Sequence, residues 1–199
     1  AQPAFVTSRV CGLDETGRPH CVGFHRENGP AAEGAVALDG FGADFVQVTG
    51  GNVACGLHRN GSVACWRNWA LGPWPQGFAE VEGLPPVRAI AGNGDLVCAI
   101  TEAEQVICWS GQGQQLGVDP EGLPYNQDFR PLADLPAAPV QLAVGGYPIC
   151  VRLADGAVHC WGYNEQGCLG DGTRIFRWQP APVADLPRVT DVVAGFMQV

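Results

Sequence analysis

CVRLADGAVHCWGYNEQGCLGDGT, residues 150–173, is the clearest copy of a unit that recurs four times in this 199-residue chain. Its first two cysteines, Cys150 and Cys160, stand ten residues apart. The same interval separates Cys11 from Cys21, Cys55 from Cys65 and Cys98 from Cys108. The first cysteines follow one another at intervals of 44, 43 and 52 residues, in or near the period of propeller-type arrays. A β-hairpin accounts for the fixed interval. In CGLHRNGSVAC the turn centres on Asn60, and Arg59-Asn60-Gly61 reads as a three-residue loop. Its last position is left-handed, which glycine adopts without steric cost. Gly17 and Gly156 hold that position in the first and fourth copies. The third copy has Glu104 there, so a strained or differently closed hairpin is expected.

This register sets the two cysteines of each copy directly opposite one another on neighbouring strands, within disulfide reach at a non-hydrogen-bonded pair. The same face carries Leu13, Leu57 and Ile100 opposite Pro19, Val63 and Val106, an apolar column suited to burial. Arg152 breaks the column in the fourth copy, and the sequence does not explain it. After the second cysteine come an aromatic residue and a glycine-rich turn, then a polar-to-proline stretch. A strand ending in small residues follows: FVQVTGG, VRAIAGN, VQLAVGG and VTDVVAG. Each unit thus offers about four short strands, with no long helical period.

Trp161-Gly162-Tyr163-Asn164 through Gly167-Cys168-Leu169-Gly170, preceded by Asp155-Gly156-Ala157-Val158, resembles the repeat of the regulator of chromosome condensation family. The resemblance is strong in copies three and four, moderate in two and weak in one. It implies an all-β fold, a β-propeller of four-stranded blades, usually seven-bladed in that family; four repeats fall short of seven. The cysteine pairs resemble the extracellular bacterial branch, which includes a secreted β-lactamase-inhibitor propeller, more than the nuclear exchange factor. The repeats run over residues 1–49, 50–93, 94–145 and 146–199 in a single propeller or propeller fragment. The strand VTDVVAG is expected to complete the blade begun at the N-terminus. Three arrangements stay open at this point: a self-closed four-blade ring, a piece of a larger parent propeller, or self-association with a second copy.

Nine cysteines without metal-type CxxC spacing, paired at hairpin distance, indicate an oxidising compartment: secreted, periplasmic or cell-surface. Each small loop closed by a disulfide contributes ~2–3 kcal/mol by chain-entropy arithmetic. Cys168 has no partner at the repeat spacing. It is either a free thiol or a bond to a partner chain or a further segment. Hydrophobic residues make up 46% of the chain and charged residues 16%, enough apolar content for a core. The 28 glycines and 16 prolines are spread as turn punctuation. No apolar run approaches the ~20 residues of a membrane-spanning helix. The net charge of −9 lacks the electrostatic footprint of a nucleic-acid binder and suits a basic partner.

Catalytic and metal chemistry find little support. Asn60-Gly61-Ser62 sits in a tight hairpin rather than on a nucleophile elbow. His20 and His159 precede the second cysteine of their copies, on the face opposite the disulfide, which suits structural filling; His25 and His58 complete the histidines. Asp171-Gly172-Thr173 and Asp119 read as turn formers rather than calcium ligands. No cofactor, metal site or catalytic residue is assigned, and the chain reads as a non-enzyme. The binding surface expected instead lies in the variable connections: Trp69 and Trp74; Tyr125, Phe129 and Arg130; and Arg174, Phe176, Arg177 and Trp178. Aromatics and arginines on loops of a rigid scaffold are favoured protein-interface anchors. The alternative is that they cover blade edges. Trp66, Trp109 and Trp161 recur identically and belong to the core. The reading is an extracytoplasmic protein-binding module that presents a loop-lined face. Its rivals are a subunit of a cell-surface or extracellular assembly, and a lyase or hydrolase working in the central channel, for which the inner strands supply only Asp191.

Overall fold

The computed structural model describes residues 10–22, 34–37, 42–51, 53–67, 77–94, 96–110, 131–132 and 134–195. These residues contain no helix; their strands form four antiparallel sheets in chain order. The first sheet holds β1 (Val10–Leu13), β2 (Pro19–Val22) and β3 (Val36–Ala37). The second holds β4 (Phe45–Thr49), β5 (Val53–His58), β6 (Val63–Arg67) and β7 (Gly77–Glu80). The third holds β8 (Val87–Asn93), β9 (Leu96–Thr101) and β10 (Val106–Ser110). The fourth holds β11 (Pro139–Val144), β12 (Pro148–Leu153), β13 (Val158–Gly162) and β14 (Arg177–Pro182). Strand order follows sequence order within each sheet, the meander of a propeller blade.

The hairpin register is the one the cysteine spacing demands. Cys11 faces Cys21, Cys55 faces Cys65, Cys98 faces Cys108 and Cys150 faces Cys160, with Cα atoms 4.0–4.1 Å apart and all four disulfides formed. Two positions on, Leu57 faces Val63 and Ile100 faces Val106, all buried. The face that carries the disulfide packs on the opposite face of the next blade. Cys11, Leu13 and Cys21 lie against Phe45, Ala54 and Ala64. Cys55, Leu57 and Val63 lie against Val97, Ala99 and Trp109. Cys98, Ile100, Val106 and Cys108 lie against Ile149, Val151, Leu153 and Trp161. Burying a Leu, Ile or Val in such a seam contributes ~1.5–3 kcal/mol. Gly56 leaves the space that the Phe45 ring fills; a Cβ there would overlap the ring.

Backbone hydrogen bonds repeat between blades as regularly as the cysteines. The Phe45 N–H donates to the Gly17 carbonyl (3.2 Å), Val87 to Gly61 (2.9 Å) and Val189 to Gly156 (3.0 Å). At the junction of blades three and four the corresponding residue is Pro139, which has no N–H to give. There Arg88 reaches across and donates to the Pro139 carbonyl instead. Arg152 now has an explanation. Its Nε donates to Gln141 Oε1 (3.0 Å), and Gln141 in turn bonds Asp191 and both backbone groups of Val192. The arginine that interrupts the apolar column therefore orients the glutamine that holds residues 189–195 against the fourth blade. Those residues carry no sheet pairing of their own, and Val189, Val192 and Ala194 pack on the Cys150–Cys160 face.

The third hairpin closes like the others, at a conformational cost. Glu104 has φ 60°, and its N–H donates to the Thr101 carbonyl (3.0 Å) as Gly61 does to His58 (3.0 Å). A side chain in this region costs ~1–2 kcal/mol, only partly offset by the greater unfolded-state freedom of glycine. Glu104→Gly is expected to stabilise the protein by about 0.5–1 kcal/mol in equilibrium denaturation. Gly61→Ala should destabilise it, since its Cβ would also crowd the Val87 backbone at 3.2 Å. A destabilising Glu104→Gly would refute this account of the turn.

Candidate functional site

The end of the blades opposite the hairpin tips carries the turn between the first two strands and the connection between the last two. In the fourth blade these are residues 145–147 and 163–176. The connection is knotted by Asn164, which is fully buried. Its Nδ2 donates towards Asp171 Oδ1 (3.1 Å), the Thr173 carbonyl (3.2 Å) and hydroxyl (3.4 Å) and the Ile175 carbonyl (3.2 Å). Its Oδ1 accepts from the Leu169 N–H (3.0 Å), which seats the Leu169 side chain in the apolar cluster around Cys160.

Asp171 closes the same knot. It accepts from the Thr173 N–H (2.9 Å) and hydroxyl (2.8 Å) and from Arg177 Nε (2.6 Å). Burial alone would push its carboxyl upward, but the Arg177, Thr173 and Asn164 donors hold it well below the usual carboxylate range. Because the folded-state value is depressed, the contribution of Asp171 is complete above the ordinary value near ~3.9 and is lost only as pH falls through the lower folded value. Asp171 is thus a turn former bound to an arginine, as Asp14 is to Thr16, the Arg18 N–H and His20 in the first hairpin. Among the described residues no group of three or more His, Cys, Asp or Glu is placed to hold a metal ion.

On this frame sit the aromatic residues. Tyr147 and Tyr163 stack with ring centroids 4.9 Å apart, and the Tyr163 hydroxyl donates to Glu165 (2.5 Å). Phe176 and Trp178 stack at 4.2 Å. Tyr147 and Trp178 are each 39% exposed and Ile175 64%, with Arg174 exposed beside them. Of the residues expected at a binding surface, Arg174, Phe176 and Trp178 therefore lie at or next to this connection, Phe176 and Trp178 in contact. Arg177 belongs with them in sequence, but its guanidinium is engaged by Asp171. Trp69, Trp74, Tyr125, Phe129 and Arg130 lie outside the described residues, as do His25 and Asp119. Tyr147 and Tyr163 were not singled out in the sequence. Their meeting follows from the pairing of Pro148 with Gly162, which brings the two neighbouring tyrosines to adjacent strand ends.

Cys168 is unbonded and half-buried; its Sγ donates to the Tyr163 carbonyl (2.9 Å), and burial pushes its thiol up. Burial likewise pushes His159 down, against the opposing pull of Asp155 and the Pro180 carbonyl. His58 Nδ1 is hydrogen-bonded to Asp44 (2.6 Å), whereas Glu80 lies 3.3 Å from Nε2 without the alignment of a hydrogen bond. Trp161 is fully buried, Trp109 is partly buried in the seam between blades two and three, and the side chain of Trp66 lies outside the described residues. Asn164→Ala removes all five side-chain hydrogen bonds of Asn164 at once and leaves Asp171 to hold the connection. It is expected to cost about 2–3 kcal/mol in thermal or chemical denaturation, and to make Cys168 alkylate faster in the folded protein. An unchanged Tm would refute the knot.

Comparison with known proteins agrees with this geometry. The profile described as the regulator of chromosome condensation (RCC1) repeat matches residues 155–198, and a second profile of that repeat matches residues 140–168. The RCC1 domain-containing protein RUG3, mitochondrial, of Arabidopsis thaliana is 31% identical over 167 residues, covering 73% of this chain and 37% of that protein. The crystal structure of human WBSCR16 superposes with a TM-score of 0.79 at 18% identity, over 95% of this chain and 54% of that one. The structure of Kap60 bound to yeast RCC1 (Prp20) gives 0.78 at 18% identity, over 96% and 51%. The chain thus spans about a third of the curated relative and about half of each solved propeller. Residues 140–198 thus match the RCC1 repeat, and the fold is that of an RCC1-like β-propeller.

Proposed function

We propose that this array of RCC1-type repeats is a non-enzymatic protein-binding module of an oxidising, extracytoplasmic compartment. It would engage its protein partner through the blade end that carries the Tyr147–Tyr163 and Phe176–Trp178 pairs. The observation that carries the reading is two aromatic pairs, with Tyr147 and Trp178 exposed, at and beside a connection locked by Asn164, on which Arg174 is also exposed. A rigid aromatic anchor loses little conformational entropy on binding, and Trp, Tyr and Arg dominate interface energetics. Four disulfides within single hairpins support the compartment. The curated relative is by name mitochondrial, so the compartment proposed for this chain rests on its own cysteines. The net charge of −9 favours a protein partner with basic surface over a nucleic acid. No helix among the described residues is long and apolar enough to cross a membrane.

Affinity capture from the native extracellular or periplasmic fluid, with quantitative mass spectrometry, tests the reading. A specific partner should be retained by the native chain and by a hairpin-tip variant, Glu102→Ala. Trp178→Ala should weaken its binding by about 2 kcal/mol, roughly 30-fold in Kd. Equal retention by Trp178→Ala and Arg174→Ala would show that this surface is not the binding face.

A further inference from the structure

Tyrosine is the scarcest aromatic of this chain, with three copies: Tyr125, Tyr147 and Tyr163. Two of the three meet at the end of the fourth blade, although β12 and β13 lie between them in sequence. Tyr147 leads into β12 and Tyr163 follows β13, and the pairing of Pro148 with Gly162 sets their backbones side by side. Gly162 makes the approach possible: its φ is 106°, and a Cβ on it would lie 2.8 Å from the Tyr147 carbonyl. The two rings stack with centroids 4.9 Å apart and planes tilted by 37°, within the contact range of aromatic pairs. Tyr163 is also fixed from its other side. The next residue is the buried Asn164, and the Tyr163 carbonyl accepts from Cys168 Sγ (2.9 Å). Two rings held in contact on fixed backbone need no encounter step to react with one another.

The hydroxyls are placed for one-electron oxidation. A phenol gives up an electron readily when its proton has somewhere to go. The Tyr163 hydroxyl donates to Glu165 Oε2 at 2.5 Å, so this carboxylate takes the proton as the electron departs. Tyr147 is 39% exposed and releases its proton to water. From this geometry we infer that Tyr147 and Tyr163 are an oxidative cross-linking site, joined as dityrosine by hydrogen peroxide and a haem peroxidase, with Glu165 the proton acceptor for Tyr163. Each phenol loses one electron and its hydroxyl proton. The two phenoxyl radicals then form a carbon–carbon bond between ring positions ortho to oxygen, and the hydrogen on each of those carbons moves to the oxygen to restore the phenol. The two electrons and two protons released reduce one hydrogen peroxide to two waters. The new bond ties the turn at residues 145–147 to the connection at 163–176, a covalent strap across the blade end that adds to the Cys150–Cys160 disulfide of its hairpin. Cross-linking needs only the two rings and the oxidant, so it stands apart from the proposed partner and compartment.

Treatment of the dilute native chain with hydrogen peroxide and a haem peroxidase provides the test. Dityrosine fluorescence should appear in a product that still migrates as a single chain. After reduction of the disulfides and tryptic digestion, the peptides carrying Tyr147 and Tyr163 should remain joined, two hydrogens lighter than their sum. Tyr147→Phe and Tyr163→Phe should each lower the fluorescence about tenfold or more, and Glu165→Gln should slow its appearance several-fold. Absence of dityrosine, links only between molecules, links through Tyr125, or undiminished fluorescence in Tyr163→Phe would each overturn the site. Equal rates in the native chain and Glu165→Gln would overturn the role given to Glu165.

Discussion

The facing of two cysteines across each hairpin is the constraint on which the rest of this structure depends. A disulfide between directly opposed residues fixes the register of two strands. Since side chains alternate with a period of two, register decides which face of the blade is apolar. Leu57, Val63, Ile100 and Val106 inherit their burial from that choice. So do Ala54, Val97 and Ile149, one residue off the cysteines, which form the receiving face of the next seam. The stacking of one blade on the next is therefore a consequence of hairpin register rather than a separate feature.

The seams are apolar, but their alignment along the strands is set by polar groups. Hairpin glycine carbonyls receive the first N–H of the following blade, and Gln47 and Gln141 receive the fourth. Where proline removes the first of these bonds, Arg88 substitutes a side-chain donor. The buried Asn164 does comparable work within the fourth blade, tying the 14-residue connection together through the Thr173 and Ile175 carbonyls. A repeat built this way keeps its scaffold constant while the connections differ in length and content, which suits recognition.

The sequence made the blade readable because its signals are local: ten-residue cysteine spacing, a left-handed turn position and a period of two. Even the strain at Glu104 was visible from its place in the repeat. Arg152 was not, because its partner Gln141 lies on another strand, and the segment both serve, 189–195, lies further still. The candidate surface was partly legible. Arg174, Phe176 and Trp178 stood out by residue type, whereas Tyr147 meets Tyr163 only through strand pairing. Arg177 reads as a free cation in sequence, yet a carboxylate six residues earlier engages it. Long-range pairing and charge neutralisation are the two things that composition and spacing do not carry.

Peptide mapping of the native protein under non-reducing conditions, after alkylation of free thiols, tests the central claim most directly. The account predicts four bonds, Cys11–Cys21, Cys55–Cys65, Cys98–Cys108 and Cys150–Cys160, with Cys168 the one alkylated residue. A bond between cysteines of different repeats, or a native protein with the hairpin cysteines reduced, would contradict it.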